Sequence, residues 1–371
     1  MQPTSAATPP QKAFEISHAS EISAARRHGA HLAELTGLDE IDAGRLAIVV
    51  TETGTNILKH ARQGRLILRA VWINWRHGVE VIAIDTGPGI ANLVRSMHDG
   101  VSTTGTAGTG LGAMRRQSDS FDIFSVPGQG TGIHLTVLAA HAAGAHAAPD
   151  GMAEPGAWGS APSAASATLP APLSPAVSRL RVGAVCLPVA GEDLCGDAWS
   201  MVEDHVGLRL MVADGLGHGP GAALASQAAV AVLQAQETLE PAAMIEAMHA
   251  ALQTTRGAAA VAARLDFQQD RIQMAGVGNI SACVIQGETR RQLISHNGIV
   301  GHNLRKVQEF GAEWTPGALA IFCSDGIGTQ WDLRAYPGLQ NCHPALIAAV
   351  LYRDFMRLRD DATVLVIQRL N

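Results

Sequence analysis

Residues 141–178 consist mostly of Ala, Pro, Gly and Ser, and they divide the chain into two parts. Such a segment has almost no large aliphatic side chains with which to build a core, and its composition is typical of a tether. The whole chain has 371 residues, which suits two domains that each bury a core. We therefore predict one domain at 12–140, a linker at 141–178 and a second domain at 179–371.

Composition and charge exclude several classes of function. The net charge of −6, from 27 basic and 33 acidic side chains, leaves no basic stripe for nucleic acid. No apolar run is long enough to span a bilayer, and residues 1–11 lack the apolar segment of a signal peptide. The five cysteines are odd in number and form no Cys-x-x-Cys pair, which argues against disulfides and a zinc cage. We expect a cytoplasmic protein without a nucleic-acid or membrane partner.

The first half contains two helical patterns followed by strand patterns. Apolar residues recur at helical spacing in 20–36 and 39–62, and Asp39 is a candidate N-cap. Gly, Asn and Pro separate β-branched or alternating runs at 65–73, 79–84, 121–126 and 131–139. This order predicts an α+β sandwich, with helices on one face of a mostly antiparallel sheet.

The second half is richer in strand patterns. Its helical patterns lie at 221–236, 241–255 and 344–357. The strand-like runs lie at 181–187, 207–213, 259–265, 271–276, 281–285, 319–324 and 362–368. Many strands and few helices predict two paired sheets flanked by helices, again an α+β fold, of αββα type.

A polar seam crosses the apolar helix predicted at 39–62. Its members fall at positions i, i+4, i+7 and i+8 and share one helix face: Glu52, Asn56, Lys59 and His60. A carboxylate there can accept a proton from an attacking hydroxyl, and a carboxamide one turn away can ligate magnesium on a triphosphate. A solvated helix face is the alternative, and Lys59 with His60 also suits the negative end of the helix dipole.

Two glycine-rich turns follow the seam. A buried-strand pattern leads into Asp85-Thr-Gly87-Pro-Gly89. The two glycines let the backbone approach a flat ligand, and the Asp85 carboxylate can accept a hydrogen bond from an amino group of that ligand. Residues 105–112, Gly-Thr-Ala-Gly-Thr-Gly-Leu-Gly, precede a helical pattern at 113–117, where backbone N–H groups favour phosphate. A simple turn uses the same residue types. The order and spacing of the three motifs together favour a nucleotide site.

Residues 42–137, with these motifs, resemble the GHKL-type ATPase domain shared by gyrase, histidine kinases and anti-sigma serine kinases, and they are most similar to the compact RsbT type. The resemblance implies that Glu52 activates a partner's serine, that Asn56 ligates Mg²⁺ and that Asp85 contacts the adenine of ATP. The further nucleotide contacts that it implies are Gly87, Gly89, Gly108, Thr109, Gly110, Leu111, Gly112 and Thr131. The segment 92–107 is short for an ATP lid, so closure is expected to depend on a bound partner.

Four aspartate motifs stand at the ends of apolar runs in the second half: Cys195-Gly-Asp197, Asp214-Gly215-Leu-Gly-His218, Ser324-Asp325-Gly and Asp360-Asp361. Carboxylates that converge at strand ends need a matching charge, and hard divalent cations are the usual match. Two such ions activate a water for in-line attack on phosphorus without a covalent intermediate. A turn explains any single one of these motifs. Four of them, far apart in sequence and beside buried strands, fit neither turns nor a calcium loop.

These motifs, within 181–371, resemble the metal-dependent (PPM) serine/threonine phosphatases of the SpoIIE, RsbU and RsbX branch, and the compact form indicates the RsbX type. The resemblance implies two ions, Mn²⁺ or Mg²⁺, and favours Asp360 over Asp361. The ligands that it implies are Asp197, Asp214, the carbonyl of Gly215, Asp325 and Asp360. His218 and residues 276–279 match family positions but serve equally well as turn and packing residues. Ser200 stands where many relatives carry a second acid, and is expected to thin the metal shell.

The two halves together predict a partner-switching regulator in sigma-factor or stress signalling. An ATP-dependent serine/threonine kinase and a metal-dependent phosphatase would act on STAS-type antagonist or scaffold proteins, with partner, nucleotide or domain contact biasing one direction. One alternative makes the first domain mainly a binding module for a sigma factor or a separate phosphatase, with catalysis confined to the second. A gyrase-like ATP-driven machine is a third hypothesis, which the lack of a transducer domain disfavours.

Overall fold

The computed structural model describes residues 5–7, 10–73, 76–96, 110–140, 179–203, 207–236 and 239–370, and these contain three antiparallel sheets and seven α-helices. The predicted linker at 141–178 and residues 97–109 lie outside the described residues. The helices are α1 (Ala19–Thr36), α2 (Glu40–Asn56), α3 (Leu93–Ser96), α4 (Gly110–Arg116), α5 (Pro220–Ala235), α6 (Pro241–Leu252) and α7 (Pro344–Phe355).

The strands of the first half are β1 (Ser5–Ala7), β2 (Lys12–Ile16), β3 (Gly64–Ile73), β4 (Arg76–Asp85), β5 (Ser120–Val126) and β6 (Gly130–Leu138). Those of the second half are β7 (Leu180–Leu187), β8 (Asp197–Glu203), β9 (Gly207–Gly215), β10 (Ala258–Asp266), β11 (Arg271–Val277), β12 (Ser281–Gln286), β13 (Thr289–Leu293), β14 (Glu309–Glu313), β15 (Leu319–Cys323) and β16 (Ala362–Arg369). The sequence pattern does not predict five of these strands: β1, β2, β8, β13 and β14. No helix in the described ranges is long and apolar enough to cross a membrane.

The first half is the predicted α+β sandwich. Its sheet has the order β2-β3-β4-β6-β5, and α1 and α2 pack together on one face of it. Asp39 caps α2 as predicted, because its carboxylate accepts a hydrogen bond from the backbone N–H of Asp42 at 2.8 Å. After Asn56 the helix continues as a π-helical turn, Ile57–Ala61. The ideal α-helical spacing assumed for Lys59 and His60 therefore does not hold in this last turn.

The second half is the predicted αββα sandwich. One sheet has the order β1-β8-β9-β10-β11-β14 and the other β13-β12-β15-β16-β7. Side chains such as Val212, Phe322 and Leu365 form the apolar core between the two sheets. Helices α5 and α6 cover the outer face of the first sheet, and α7 covers the outer face of the second.

Helix α7 also covers the sheet of the first half, on the face that α1 and α2 leave open. Residues 344–352 are buried on all sides, as expected for a helix that is apolar all round. The helix contacts β7 and β16 on one side and β4, β5 and β6 on the other. A Cβ built on Gly132 of β6 would lie 3.3 Å from Leu346 and 3.7 Å from Val350, so this glycine allows close packing. The two halves are therefore consecutive layers of one stack.

Polar contacts also join the halves. Strand β1 pairs with β8, so the start of the chain adds an edge strand to the second half. Arg69 and Glu80 form a buried ion pair, His134 bonds Glu80 at 3.0 Å, and the ring of His134 stacks on His343 at 3.9 Å. Burial raises the pKa of Glu80, but Arg69 and His134 outweigh that effect and hold the pKa at about 2. A buried charge network thus lies where the halves meet.

Candidate functional site

The predicted base and magnesium ligand lie together at the end of α2. A Cβ built on Gly110, the first residue of α4, would lie 3.4 Å from Oδ1 of Asn56 and 3.6 Å from Oε2 of Glu52. The two side chains are one helical turn apart, as the seam predicts, and both are partly exposed. The folded chain therefore brings together a carboxylate, a carboxamide and the start of the helix that follows the glycine-rich loop.

The Asp85 carboxylate stands at the end of β4 and has one oxygen engaged. Its Oδ1 accepts hydrogen bonds from the backbone N–H groups of Gly87 at 2.8 Å and Thr131 at 3.2 Å. Burial raises the pKa of Asp85, while these two N–H groups and the nearby charges of Arg353 and His60 act in the opposite direction. No donor among the described residues contacts Oδ2, which leaves this oxygen for an external amino group.

The glycines of the Asp85 turn are needed for packing. A Cβ on Gly87 would lie 2.7 Å from the Cβ of Ala61, in the π-helical turn that ends α2. Gly89 has a φ of 69°, and a Cβ there would lie 2.3 Å from the carbonyl oxygen of Val126. The sequence predicts that the backbone of this turn approaches a ligand closely. In the structure, the same glycines let it approach other parts of the protein.

The other predicted nucleotide contacts differ in burial and in their neighbours. Gly112 is buried in α4, and Leu111 packs against the core of the first half. The Thr131 hydroxyl lies 3.0 Å from that of Ser125. Gly108 and Thr109 lie outside the described residues, so their assignment stays a prediction.

Four aspartates of the second half converge at one edge of its paired sheets. Asp197 begins β8 and is directly opposite Asp214 in β9. Asp325 follows β15, and Asp360 precedes its antiparallel neighbour β16. The pKa of Asp214 is raised to about 9 by burial and then by the charges of nearby carboxylates, namely Asp197, Asp325, Asp360 and Asp361.

Asp197 is the most deeply buried carboxylate of this cluster. The residue is only 3% exposed, and neither carboxylate oxygen has a hydrogen-bond partner of normal geometry. Burial is the main cause that raises its pKa to about 7, and Asp361 and Asp360 add to it. The hydroxyls of Ser324 and Thr363 offset part of the effect. A buried carboxylate beside other carboxylates suits a hard divalent cation.

Asp360 and Asp361 have different tasks. The two oxygens of Asp361 accept from the backbone N–H groups of Val189 and Gly196, each at 2.8 Å, so this side chain holds the loop that precedes β8. Asp360 accepts the N–H of Asp361 and otherwise interacts with the carboxyl group of Asp325, another member of the cluster. The geometry therefore leaves Asp360 the freer of the two to bind an ion.

Four further residues surround the cluster, and two of them come from positions without a predictive motif. Asn279 donates from Nδ2 to Oδ2 of Asp325, which gives this residue a role beyond packing. His218 bonds Glu192 at 2.7 Å. The guanidinium of Arg256 lies against Gly221 in the first turn of α5, close to the Asp214 loop. Arg256 and Glu192 lie in loops whose approach only the fold determines, so sequence patterns did not reveal them.

The effect of Ser200 on the metal shell stays a prediction, and the strand register indicates where its side chain lies. Successive side chains of a strand point to opposite faces, and three positions separate Ser200 from Asp197. Trp199 contributes to the core between the sheets, whereas Ala198 and Val202 contribute to the core under α5 and α6. By this alternation, the buried Ser200 lies on the helix-facing side of the strand.

The residues present fit divalent ions in chemistry and charge. In the described part of the chain, no three side chains of His, Cys, Asp or Glu are already arranged as a complete metal site. Binding therefore needs carboxylate rotamers other than those seen. The buried, unpartnered oxygens of Asp197 and the raised pKa of Asp214 are what such binding would relieve.

Comparisons with known proteins give a separate result for each half. The family described as histidine kinase-like ATPase domain matches residues 17–137, and the family described as stage II sporulation protein E (SpoIIE) matches residues 204–370. The serine/threonine-protein kinase RsbT of Bacillus subtilis (strain 168) is 36% identical over 113 residues, which are 30% of this chain and 85% of RsbT.

The phosphoserine phosphatase RsbX of the same organism is 28% identical over 148 residues, 39% of this chain and 73% of RsbX. A crystal structure of RsbX with magnesium is similar over 51% of this chain and 95% of that chain, with 23% identity and a TM-score of 0.46.

The chain is of the class of proteins in which a kinase domain of GHKL type is followed by a phosphatase domain of PPM type. The chain belongs to the RsbT family of serine/threonine kinases, and its second half is similar to SpoIIE and RsbX. Both resemblances predicted from the sequence are confirmed.

Proposed function

We propose that this chain is a bifunctional partner-switching regulator that phosphorylates a STAS-type antagonist or scaffold protein on Ser or Thr and also removes that phosphate. The observation that carries the proposal is that each half holds the groups its own reaction needs. Glu52, Asn56 and Asp85 lie in the first half, and the cluster of four aspartates lies in the second. The similarities to RsbT and RsbX support the two activities separately.

In the kinase half, three side chains have distinct tasks. Glu52 accepts the proton of the partner's attacking hydroxyl, which it can do because it is partly exposed beside the start of α4. The carboxamide oxygen of Asn56 would hold Mg²⁺, which would supply positive charge to neutralise the triphosphate of ATP. Oδ2 of Asp85 accepts from the adenine amino group while Oδ1 is fixed by two N–H groups.

In the phosphatase half, Asp197, Asp214, the Gly215 carbonyl, Asp325 and Asp360 would hold two divalent ions, Mn²⁺ or Mg²⁺. Such ions would activate a water for attack on phosphorus and neutralise the charge of the phosphate. Asp361 positions the loop before β8, and Asn279 orients Asp325.

A cysteine nucleophile is not needed and does not fit. Cys195 lies two residues before Asp197, but its thiol is hydrogen-bonded with Cys186 at a sulfur-to-sulfur distance of 3.7 Å. That bond and burial raise the pKa of Cys195 far above its ordinary value. The thiolate, which is the reactive form, is therefore not available.

Phosphate transfer from labelled ATP to a purified STAS-domain protein tests the kinase half. Asn56→Ala is expected to abolish transfer, whereas Thr55→Ala, its neighbour on α2, is expected to retain it. If the wild-type chain binds ATP but transfers phosphate to no STAS protein, the first half is a binding module instead.

Release of phosphate from the phosphorylated STAS protein in Mn²⁺ tests the phosphatase half. Asp214→Ala and Asp325→Ala are expected to abolish release, and Asp193→Ala, in an exposed loop of the same half, serves as the control. Full activity in either cluster variant would refute the metal assignment.

A further inference from the structure

Helix α7 belongs to the phosphatase half by sequence, yet it lies between the halves. Residues 344–352 are buried, and Arg353 follows them with a side chain only 5% exposed. A guanidinium is always charged and is rarely buried without partners. The partners of Arg353 therefore indicate what this end of the helix does.

Arg353 spans the boundary between the two halves. Its Nη1 donates to the backbone carbonyl of Asp85 at 3.1 Å. Its Nε and Nη2 donate to the two carboxylate oxygens of Asp354 at 2.7 and 2.8 Å. Asp354 also accepts the hydroxyl of Tyr336 at 2.8 Å. The guanidinium is thus fixed by its own half and directed at the other.

The carbonyl that Arg353 contacts belongs to the residue whose carboxylate faces the adenine site. Its hydrogen bond holds the end of β4, from which the Asp85 turn begins. Its charge favours the ionised form of Asp85, against burial. An ionised Asp85 accepts hydrogen bonds and donates none, which is what an adenine amino group requires.

The other end of this connection reaches the aspartate cluster. Phe355, the last residue of α7, accepts the N–H of Gly328 through its carbonyl at 2.8 Å. Two residues later, the N–H of Arg357 donates to the carbonyl of Gly326 at 2.7 Å. Gly326 directly follows Asp325. Main-chain hydrogen bonds thus connect the end of α7 with the segment that carries a predicted metal ligand.

We infer that Arg353 is a positioning residue of the nucleotide site, and that α7 joins this site to the aspartate cluster so that nucleotide bound in one half changes phosphatase turnover in the other. The inference rests on the proposed function of the first half. A helix packed tightly between two sheets moves as one body, so a shift of the Asp85 turn is passed to the segment after Asp325. The result is a free-energy coupling between two binding sites.

The test uses the full-length chain and two readouts. The Kd of a fluorescent, non-hydrolysable ATP analogue with Mg²⁺ reports on the nucleotide site. The turnover of p-nitrophenyl phosphate, with and without saturating analogue at constant free Mn²⁺, reports on the coupling. The variants are Arg353→Met, which removes charge and donors, and Arg353→Lys, which keeps the charge. Arg334→Met is the control, because Arg334 is exposed and pairs only with Asp332 among the described residues.

In the wild type, the analogue is expected to change turnover by about fivefold or more. In Arg353→Met, the Kd rises and the ratio of turnover with and without analogue approaches one, whereas Arg334→Met matches the wild type. Arg353→Lys has an intermediate Kd and replaces the Met variant if that variant does not fold. Wild-type Kd and ratio in both Arg353 variants would overturn the inference. Failure of the wild type to bind the analogue at all would overturn the proposed kinase function as well.

Discussion

Replacement of Asp85 by Asn tests the nucleotide site with little change in shape. The carboxamide keeps one oxygen, which can still accept from the N–H groups of Gly87 and Thr131. The other position becomes an NH₂ group that faces the adenine amino group, so a donor meets a donor. We therefore expect nucleotide binding to suffer while the fold does not.

The magnitude follows from the hydrogen bond that is lost. A hydrogen bond to a charged group contributes about 1.5–3 kcal/mol, so the Kd for ATP is expected to rise by about 10- to 150-fold. The loss of a buried charge at Asp85, whose pKa is raised by burial, also removes a desolvation cost. The free energy of unfolding is therefore expected to change by no more than about 1 kcal/mol.

Isothermal titration with Mg-ATP measures the Kd, and urea denaturation measures stability. Asp39→Asn is the matched control, since Asn caps a helix as well as Asp does and Asp39 only caps α2. An Asp85→Asn protein that is stable and binds ATP within about twofold of the wild type, a difference below 0.5 kcal/mol, would refute the adenine role.

Three further predictions concern the packing of α7, the buried charge network around Glu80 and the role of Asp361. Leu346→Ala, at a fully buried position of α7, should lower the free energy of unfolding by about 2–5 kcal/mol in urea denaturation; a loss below 1 kcal/mol would show that α7 is not packed as described. Glu80 has a folded pKa of about 2, below its ordinary 4.5, so it contributes about 3 kcal/mol above pH 4.5 that is lost as the pH falls toward 2. Glu80→Gln should flatten this part of the stability curve, and an unchanged slope would contradict the network. Asp361→Asn should lower phosphatase kcat by about 10-fold or more through the loop before β8, with less loss of Mn²⁺ affinity than Asp360→Asn; the reverse order would exchange their roles.

The elements with a clear period were predictable from the sequence. Helices α1, α2 and α7 and strands such as β4 and β16 have strong helical or strand patterns. Strand β8 was missed because every residue of Asp197–Glu203 is buried, so apolar and polar side chains do not alternate along it. Strands β13 and β14 lie at sheet edges, where the pattern is weak.

Only the candidate site residues that belong to local sequence motifs were predictable. Glu52, Asn56 and the aspartates belong to local patterns, and the fold brings each set together. Arg353 belongs to no motif, and its contact with Asp85 joins positions 268 residues apart. The apolar sequence of α7 predicts burial on all sides, but it does not say that the second face belongs to the first half. The face of β8 on which Ser200 lies could not be predicted from its motif position, because the strand itself was missed.

The proposed function requires that one chain both adds and removes the same phosphate. The most direct measurement is the level of label on a STAS-domain substrate over time, with labelled ATP, Mg²⁺ and Mn²⁺ in one reaction. The expected result is a low steady level of label with the wild type, a much higher level with Asp214→Ala and none with Asn56→Ala. Equal levels with the wild type and Asp214→Ala would contradict it, because removal would then play no part.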